Sequence, residues 1–207
     1  MNLARLFTDT AAERPDAVAL RLDEQTFSYR HVAEASERVS GLLAAHGVGP
    51  GDRVAVMLPN VPEFAFVYYG VLRAGGVVVP MNPLLKAREV AYYLSDSGAR
   101  MVFASPAAAP EVTAALQSAT GPTLVVVEPA SFAALLAEQE REPAVVDRAA
   151  DDTAVILYTS GTTGQPKGAE LTHGNLAANV EVTQSDLVQL SADDVVFGGL
   201  PLFHSFG

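Results

Sequence analysis

The sequence predicts an α/β fold: a partly parallel β-sheet flanked by helices. Three observations carry this. Short apolar runs alternate with amphipathic stretches along the first hundred residues or so. One of those runs, "RVAVML" (53–58), shows no polar alternation, as a strand covered on both faces does. The helical stretches stop at glycine, at Gly47, Gly75-Gly76 and Gly98, which marks separate elements rather than one long helix.

The elements follow in order. Ala17–Leu22 and Thr26–Tyr29 read as short strands around the polar turn Asp23-Glu24-Gln25. From Arg30, apolar residues recur at Val32, Ala35, Val39, Leu42 and Leu43, and this helical spacing stops at His46-Gly47. "GPGD" (49–52) is a turn into the strand 53–58. "PEFAFVYYGVLRAG" is an apolar helix, and "VVVP" (77–80) is a strand. "KAREVAYYLSDSG" is a helix carrying Val90, Tyr93 and Leu94, and Arg100–Ala104 is the next strand. The stretch 106–142 is alanine-rich and broken by Pro106, Pro110, Pro122 and Pro129. It holds a strand at Leu124–Val127 and a short helix around Phe132–Ala137. Residues 140–152 form a surface connection. Ala154–Thr159 is a strand, "GAELTH" a short strand, and a helix runs from His173 through about Leu190. "DVVFGGLPLFHSFG" reads as an apolar strand and a loop. The organisation expected is a first α/β portion over 1–150 and a phosphate-loop portion over 151–207.

Composition bounds the function. The chain has 207 residues, 49% apolar and 18% charged, enough for a real core. Its 24 acidic residues against 13 basic ones give a net charge of -11, which disfavours a nucleic-acid partner. Without cysteine there is no disulfide, thiolate metal site or cysteine nucleophile. No signal-peptide h-region opens the sequence, and no apolar run reaches the roughly 20 residues of a membrane span. The expectation is a cytoplasmic protein.

The chemistry concentrates in "YTSGTTGQPKG" (158–168). Gly161 and Gly164 allow close backbone approaches, Ser160, Thr162 and Thr163 add hydroxyls, and Lys167 adds a cation. Donors gathered in this way after a buried strand suit a polyphosphate; the alternative is a plain surface loop. A Walker A loop is excluded by spacing. Pro166 stands where its glycine should precede the lysine, Gly168 stands where Ser or Thr should bind magnesium, and "GAELTH" replaces its helix.

The longer stretch "YTSGTTGQPKGAELTHGNL" closely resembles the phosphate-binding motif of the adenylate-forming (AMP-binding) superfamily, which includes acyl-CoA synthetases and aryl-CoA ligases. "FSYRHV" (27–32), "LRAGGVVVPMNP" (72–83) and "PLFHSFG" (201–207) resemble further family segments in the same order, although His31-Val32 replaces the usual Glu-Leu. The resemblance implies the truncated N-terminal subdomain of the acyl-CoA synthetase-like fold, with the later half and the lid domain absent. It implies a ligase that activates a carboxylate with ATP and passes the acyl group to coenzyme A. Thr159, Ser160, Gly161, Thr162, Thr163, Gly164 and Lys167 would cradle the ATP phosphates. Mg2+ would ride on the nucleotide, its protein ligand lying outside this chain. His204 would sit near the acyl carboxylate as a positioning group. The family's amino-acid-activating members carry an Asp in the "PLFHSFG" segment. His204 between Phe203 and Phe206 offers no such charge, so a medium- or long-chain fatty acid is expected, with an aryl acid as the alternative.

Two further expectations concern the chain as a unit. It should be inactive alone, and its apolar end, "FGGLPLF", should favour a homo-oligomer; a self-associating non-catalytic chain and a simple nucleotide-binding module are the competing readings. His31, His46 and His173 are assigned to surface or capping positions. Tyr68-Tyr69 and Tyr92-Tyr93 are assigned to the core, and Thr172 and Asn175 to a helix cap. The acidic pairs Asp151-Asp152 and Asp193-Asp194 are read as solvated turns.

Overall fold

A computed structural model describes residues 1–117, 121–159 and 165–204. In chain order the elements are α1 (Ala4–Glu13), β1 (Val18–Leu22), β2 (Gln25–Ser28), α2 (Tyr29–Ala45), β3 (Arg53–Met57), α3 (Pro62–Arg73), β4 (Val77–Pro80), α4 (Ala87–Ser97), β5 (Met101–Ala104), α5 (Ala109–Leu116), β6 (Thr123–Val126), α6 (Pro129–Ala137), β7 (Thr153–Thr159), β8 (Lys167–Thr172) and α7 (His173–Val182), followed by one π-helical turn, Thr183–Leu187.

β1 and β2 form a separate antiparallel hairpin, and the other strands form one six-stranded sheet in the order β6-β5-β3-β4-β7-β8. Every pair in it is parallel except β7 with β8. The strand order explains why helices cover both faces. A parallel crossover is right-handed, so reversing the direction of travel along the sheet moves the helix to the other face. β3 to β4 and β6 to β7 step one way, and α3 and α6 pack with α1 and α2 on one face. β4 to β5 to β6 step the other way, and α4 and α5 cover the opposite face.

Side chains divide accordingly. Val54, Val56 and Leu58 face the first core, while Ala55 and Met57 face the second; Met101 and Phe103 oppose Val102 and Ala104 on β5. Both faces are dry, and this is why the central strands read as unbroken apolar runs. α4 stops at Gly98, whose φ of 61° is left-handed and suits glycine. Arg53 secures that end, donating from Nε to the Ser97 carbonyl at 2.7 Å and from Nη2 to the Gly98 carbonyl at 3.0 Å.

The irregular connection 138–152 is strapped to the first face by polar groups. Arg73, almost fully buried, donates to Glu37 Oε1 at 3.0 Å and to the Pro143 carbonyl at 2.6 Å. Arg141 Nε donates to Glu37 Oε2 at 2.7 Å. Asn2, also buried, donates to the carbonyls of Leu72 at 2.6 Å and Val146 at 2.8 Å, so the chain's start closes over the same strap.

Several expectations need correction. α1 and α5 were not anticipated. The helix opened by His173 keeps α-geometry only to Val182 and then widens into the π turn. The apolar strand expected in "DVVFGGLPLFHSFG" is absent among the described residues. Val195, Val196 and Phe197 are exposed and without a strand partner, and an extended segment needs paired backbone to be a strand.

Candidate phosphate-binding hairpin

β7 is the last parallel strand, and its carboxyl end lies on the edge of the sheet where β3, β4 and β5 also end. In open α/β sheets this is the edge at which ligands bind. β7 there turns back into β8, with Thr159 paired to Lys167 and Tyr158 to Gly168. Of the predicted phosphate contacts, Thr159 and Lys167 therefore sit side by side at the mouth of the hairpin, both exposed. Ser160, Gly161, Thr162, Thr163 and Gly164 lie outside the described residues.

α4 holds the flanks of this turn. The Tyr158 hydroxyl donates to Asp96 Oδ2 at 2.6 Å, and its ring stacks on Tyr93 with centroids 4.1 Å apart. Burial, then the Asp96 carboxylate, pushes the Tyr158 phenol well above the usual tyrosine range, so it stays a donor at neutral pH. The Tyr92 hydroxyl donates to the carbonyl of Pro166 at 2.9 Å, immediately before Lys167. Tyr92 was assigned to the core. It is half-buried, and its hydroxyl is engaged by the turn. Gly168 permits this packing: a Cβ there would lie 2.9 Å from Ile156 Cγ2 and 3.3 Å from Tyr158 Cζ.

His173 also departs from expectation. It is fully buried rather than at the surface, and its Nδ1 accepts from the Leu3 amide at 3.0 Å. Burial and then the positive charge of Arg148 hold its pKa below the usual histidine value. The neighbouring cap is as expected: Asn175 N–H donates to Thr172 Oγ1 at 3.1 Å and Asn175 Oδ1 accepts from the Thr172 amide at 3.4 Å.

The "PLFHSFG" segment starts at the same sheet edge. Asn60, just past β3, donates to the carbonyls of Gly198 at 3.0 Å and Leu200 at 2.7 Å and accepts from the Leu202 amide at 2.9 Å. Leu202 packs on the first core, Phe203 is half-buried, and His204 is exposed, with its amide on the Pro201 carbonyl at 2.9 Å. Asn60 had no sequence signal, since nothing local links it to residues 140 positions away. Tyr92 and Asp96 did have one: a polar tip and an acid one turn apart on α4, beside the core-facing Val90 and Leu94.

A cavity of about 530 Å³ lies along the β7–β8 face, bounded by Arg53, Asp96, Arg148, Asp152, Tyr158 and Glu170. Its carboxylates outnumber its guanidinium groups, so it suits a polyphosphate less well than the hairpin mouth does. Among the described residues no three acidic or histidine side chains gather as a metal site, and no helix is long and apolar enough to cross a membrane.

Comparison with known proteins gives a consistent result. The family model described as "AMP-binding enzyme" matches residues 7–207. The long-chain-fatty-acid–CoA ligase FadD13 of Mycobacterium tuberculosis is 32% identical over 197 residues, covering 94% of this chain and 39% of that protein. A feruloyl-CoA synthase of Amycolatopsis sp is 38% identical over 191 residues, covering 92% of this chain and 37% of that protein. Among solved structures, a benzoate CoA ligase from Burkholderia xenovorans superposes with a TM-score of 0.90 at 30% identity, over 98% of this chain and 41% of that one. This chain thus spans about two-fifths of the length of these three proteins.

Proposed function

The chain belongs to the AMP-binding enzyme family, and on that premise we propose that it serves an ATP-dependent acid–thiol ligase in which the β7–β8 hairpin holds the nucleotide's phosphates. The observation that carries the reading is the hairpin mouth. Lys167 and Thr159 are paired at the carboxyl edge of a parallel sheet, spanned by a run of glycine and hydroxyl residues. In the reaction, a carboxylate oxygen bonds to the α-phosphorus of ATP, the bond to the bridging oxygen breaks, and pyrophosphate leaves. Lys167 and the hairpin's hydroxyl and amide donors meet the charge that collects on that leaving group. The thiol sulfur of coenzyme A then bonds to the acyl carbon, the carbon–oxygen bond to the adenylate phosphate breaks, and AMP leaves while the thiol proton passes to solvent. The described residues offer no cluster fit to hold Mg2+.

The acid we propose is a medium- or long-chain fatty acid. His204 and Phe203 bring no carboxylate to greet an α-ammonium group, and a CoA ligase for long-chain fatty acids is among the similar proteins. A feruloyl-CoA synthase is more similar in sequence than that ligase, and a benzoate CoA ligase nearly as similar, so an aryl acid is the competing substrate.

The test has two parts. Titration calorimetry of this chain with inorganic pyrophosphate should show binding that Lys167→Ala weakens about 10- to 100-fold, the worth of a charge-assisted hydrogen bond. Equal affinity in the variant would remove the hairpin from the reading. Carboxylate-dependent ATP–pyrophosphate exchange by the full gene product, offered fatty, aryl and amino acids in parallel, identifies the acid. Exchange with amino acids alone would overturn the proposal.

A further inference from the structure

The phosphate hairpin is tied to α4 at two points, and the two ties differ. Tyr158 belongs to β7, and its bond to Asp96 together with its stack on Tyr93 fixes the outgoing strand. Tyr92 reaches across from α4 to the returning strand, 74 positions away in sequence, and its hydroxyl takes the carbonyl of Pro166. Pro166 is the residue before Lys167, the cation of the proposed cradle. A peptide carbonyl shares one rigid plane with the amide that follows it, so fixing the Pro166 oxygen also fixes the plane that carries the Lys167 N–H. Proline, with no N–H of its own and a locked φ, leaves that carbonyl as its one handle for a partner.

We propose that Tyr92 is a positioning residue for phosphate binding: its hydroxyl, held on the rigid face of α4, sets where the chain re-enters β8 and so where Lys167 points. This rests on the reading of the hairpin as the phosphate site. The tie is not part of the second core's packing. That core is built from Val90 and Leu94 of α4 and from Tyr93, whereas the Tyr92 ring is not among its members and meets its aromatic neighbours edge-on, at 6.1 Å from Tyr93 and 6.4 Å from Tyr158. Removing the hydroxyl alone therefore leaves the packing intact and releases one carbonyl.

The chain has two lysines, Lys86 and Lys167, which gives a direct readout. Endoproteinase Lys-C cuts after lysine, so it can open this chain after Lys167, at the hairpin, and after Lys86, at the start of α4. Lys86 is engaged there by Glu111, with its Nζ at 3.1 Å and the Ala87 amide on the same carboxylate at 2.9 Å. Cleavage after Lys86 thus reports α4 itself and serves as the internal control.

In Tyr92→Phe, cleavage after Lys167 should run about two- to tenfold faster than in the parent chain, the range expected for local opening without one hydrogen bond. Cleavage after Lys86 and the melting temperature should stay unchanged, and the affinity for inorganic pyrophosphate should fall by a similar factor. Pyrophosphate should protect Lys167 in the parent chain and do so less well in the variant. If Tyr92→Phe cuts after Lys167 at the parental rate and binds pyrophosphate as tightly, the positioning role is overturned. Equal acceleration after both lysines also overturns it, because the hydroxyl would then serve α4 rather than the hairpin. Failure of pyrophosphate to protect the parent chain is a separate outcome. It overturns the phosphate reading, and with it the purpose given to Tyr92, even where the ligand-free rates differ.

Discussion

Glu37→Gln is the most informative single change in the strap that leads to β7. Glu37 and Arg73 are both buried, at 8% and 2% exposure, and the two carboxylate oxygens of Glu37 serve different guanidinium groups, Arg73 at 3.0 Å and Arg141 at 2.7 Å. The neutral amide keeps the shape and removes the charge. Arg141 is nearly half exposed and keeps Glu34, at 3.3 Å, so its loss is screened by water. Arg73 has no such recourse. Its Nε is already without a partner, and burial already holds its pKa below the usual arginine value despite the opposing charge of Glu37. The variant leaves a buried cation with only neutral acceptors within reach, the Pro143 carbonyl and the amide oxygen of the new side chain.

Breaking a buried pair from one side costs about 3–5 kcal/mol. Against a total stability of roughly 5–15 kcal/mol for a domain, that is a large share. Urea unfolding followed by far-UV circular dichroism measures it directly, the chain having no tryptophan. Trypsin supplies a second readout after Arg141, where the strap should open sooner. The reasoning makes a sharper claim about the double change Glu37→Leu with Arg73→Met. Replacing both charges by apolar groups of similar volume should restore stability to within about 1 kcal/mol of the parent, or exceed it. The account would be refuted by Glu37→Gln unfolding at the parental urea midpoint, or by Glu37→Leu and Arg73→Met acting additively.

Two further outcomes follow from groups beside the hairpin. His173 is buried and neutral, with a folded-state pKa below the 6.5 of the free side chain, so the unfolded chain binds the extra proton first. Stability should therefore be full above about pH 6.5 and fall as the pH drops below it, and His173→Asn should flatten that slope in urea titrations between pH 7 and 5. Gly168→Ala should cost about 1–3 kcal/mol through overpacking against Ile156 and Tyr158. It should also weaken pyrophosphate binding in calorimetry; a variant as stable as the parent would show that the Tyr158 ring yields freely.

What could be read from the sequence divides along physical lines. β3, β4 and β5 were legible because strands covered on both faces must be apolar throughout, and α2 and α4 because their cores recur every third or fourth residue and end at Gly47 and Gly98. α1 was missed although Ala4, Phe7 and Ala11 have helical spacing, since two of those three buried residues are alanines that barely mark a face. α5 was hidden by Pro110, which reads as a breaker but stands in the first turn, where its missing N–H costs nothing. Val195–Phe197 was overread. Apolar content predicts a strand only where another strand is present to pair with it. In the site, Thr159 and Lys167 came from the local motif, whereas Tyr92 and Asn60 act over 74 and 140 positions, beyond any local signal.

That division bears on how the hairpin can work at all. A turn built from glycine and hydroxyl residues gives up more conformational entropy than most when it takes one shape. In the proposed role its own side chains are committed to the ligand, so the ordering is supplied from its flanks. The flanks here are unusually constrained: a paired Thr159 and Lys167, a stacked and hydrogen-bonded Tyr158, a Gly168 that lets that ring lie close, and a Tyr92 hydroxyl on the last carbonyl before the lysine. Three tyrosines and an aspartate do this, and three of the four sit on one helix whose other side is fixed in the second core. A motif search sees the residues proposed to touch phosphate. The groups that aim them belong to α4, and a change there should alter affinity without altering a single residue of the motif.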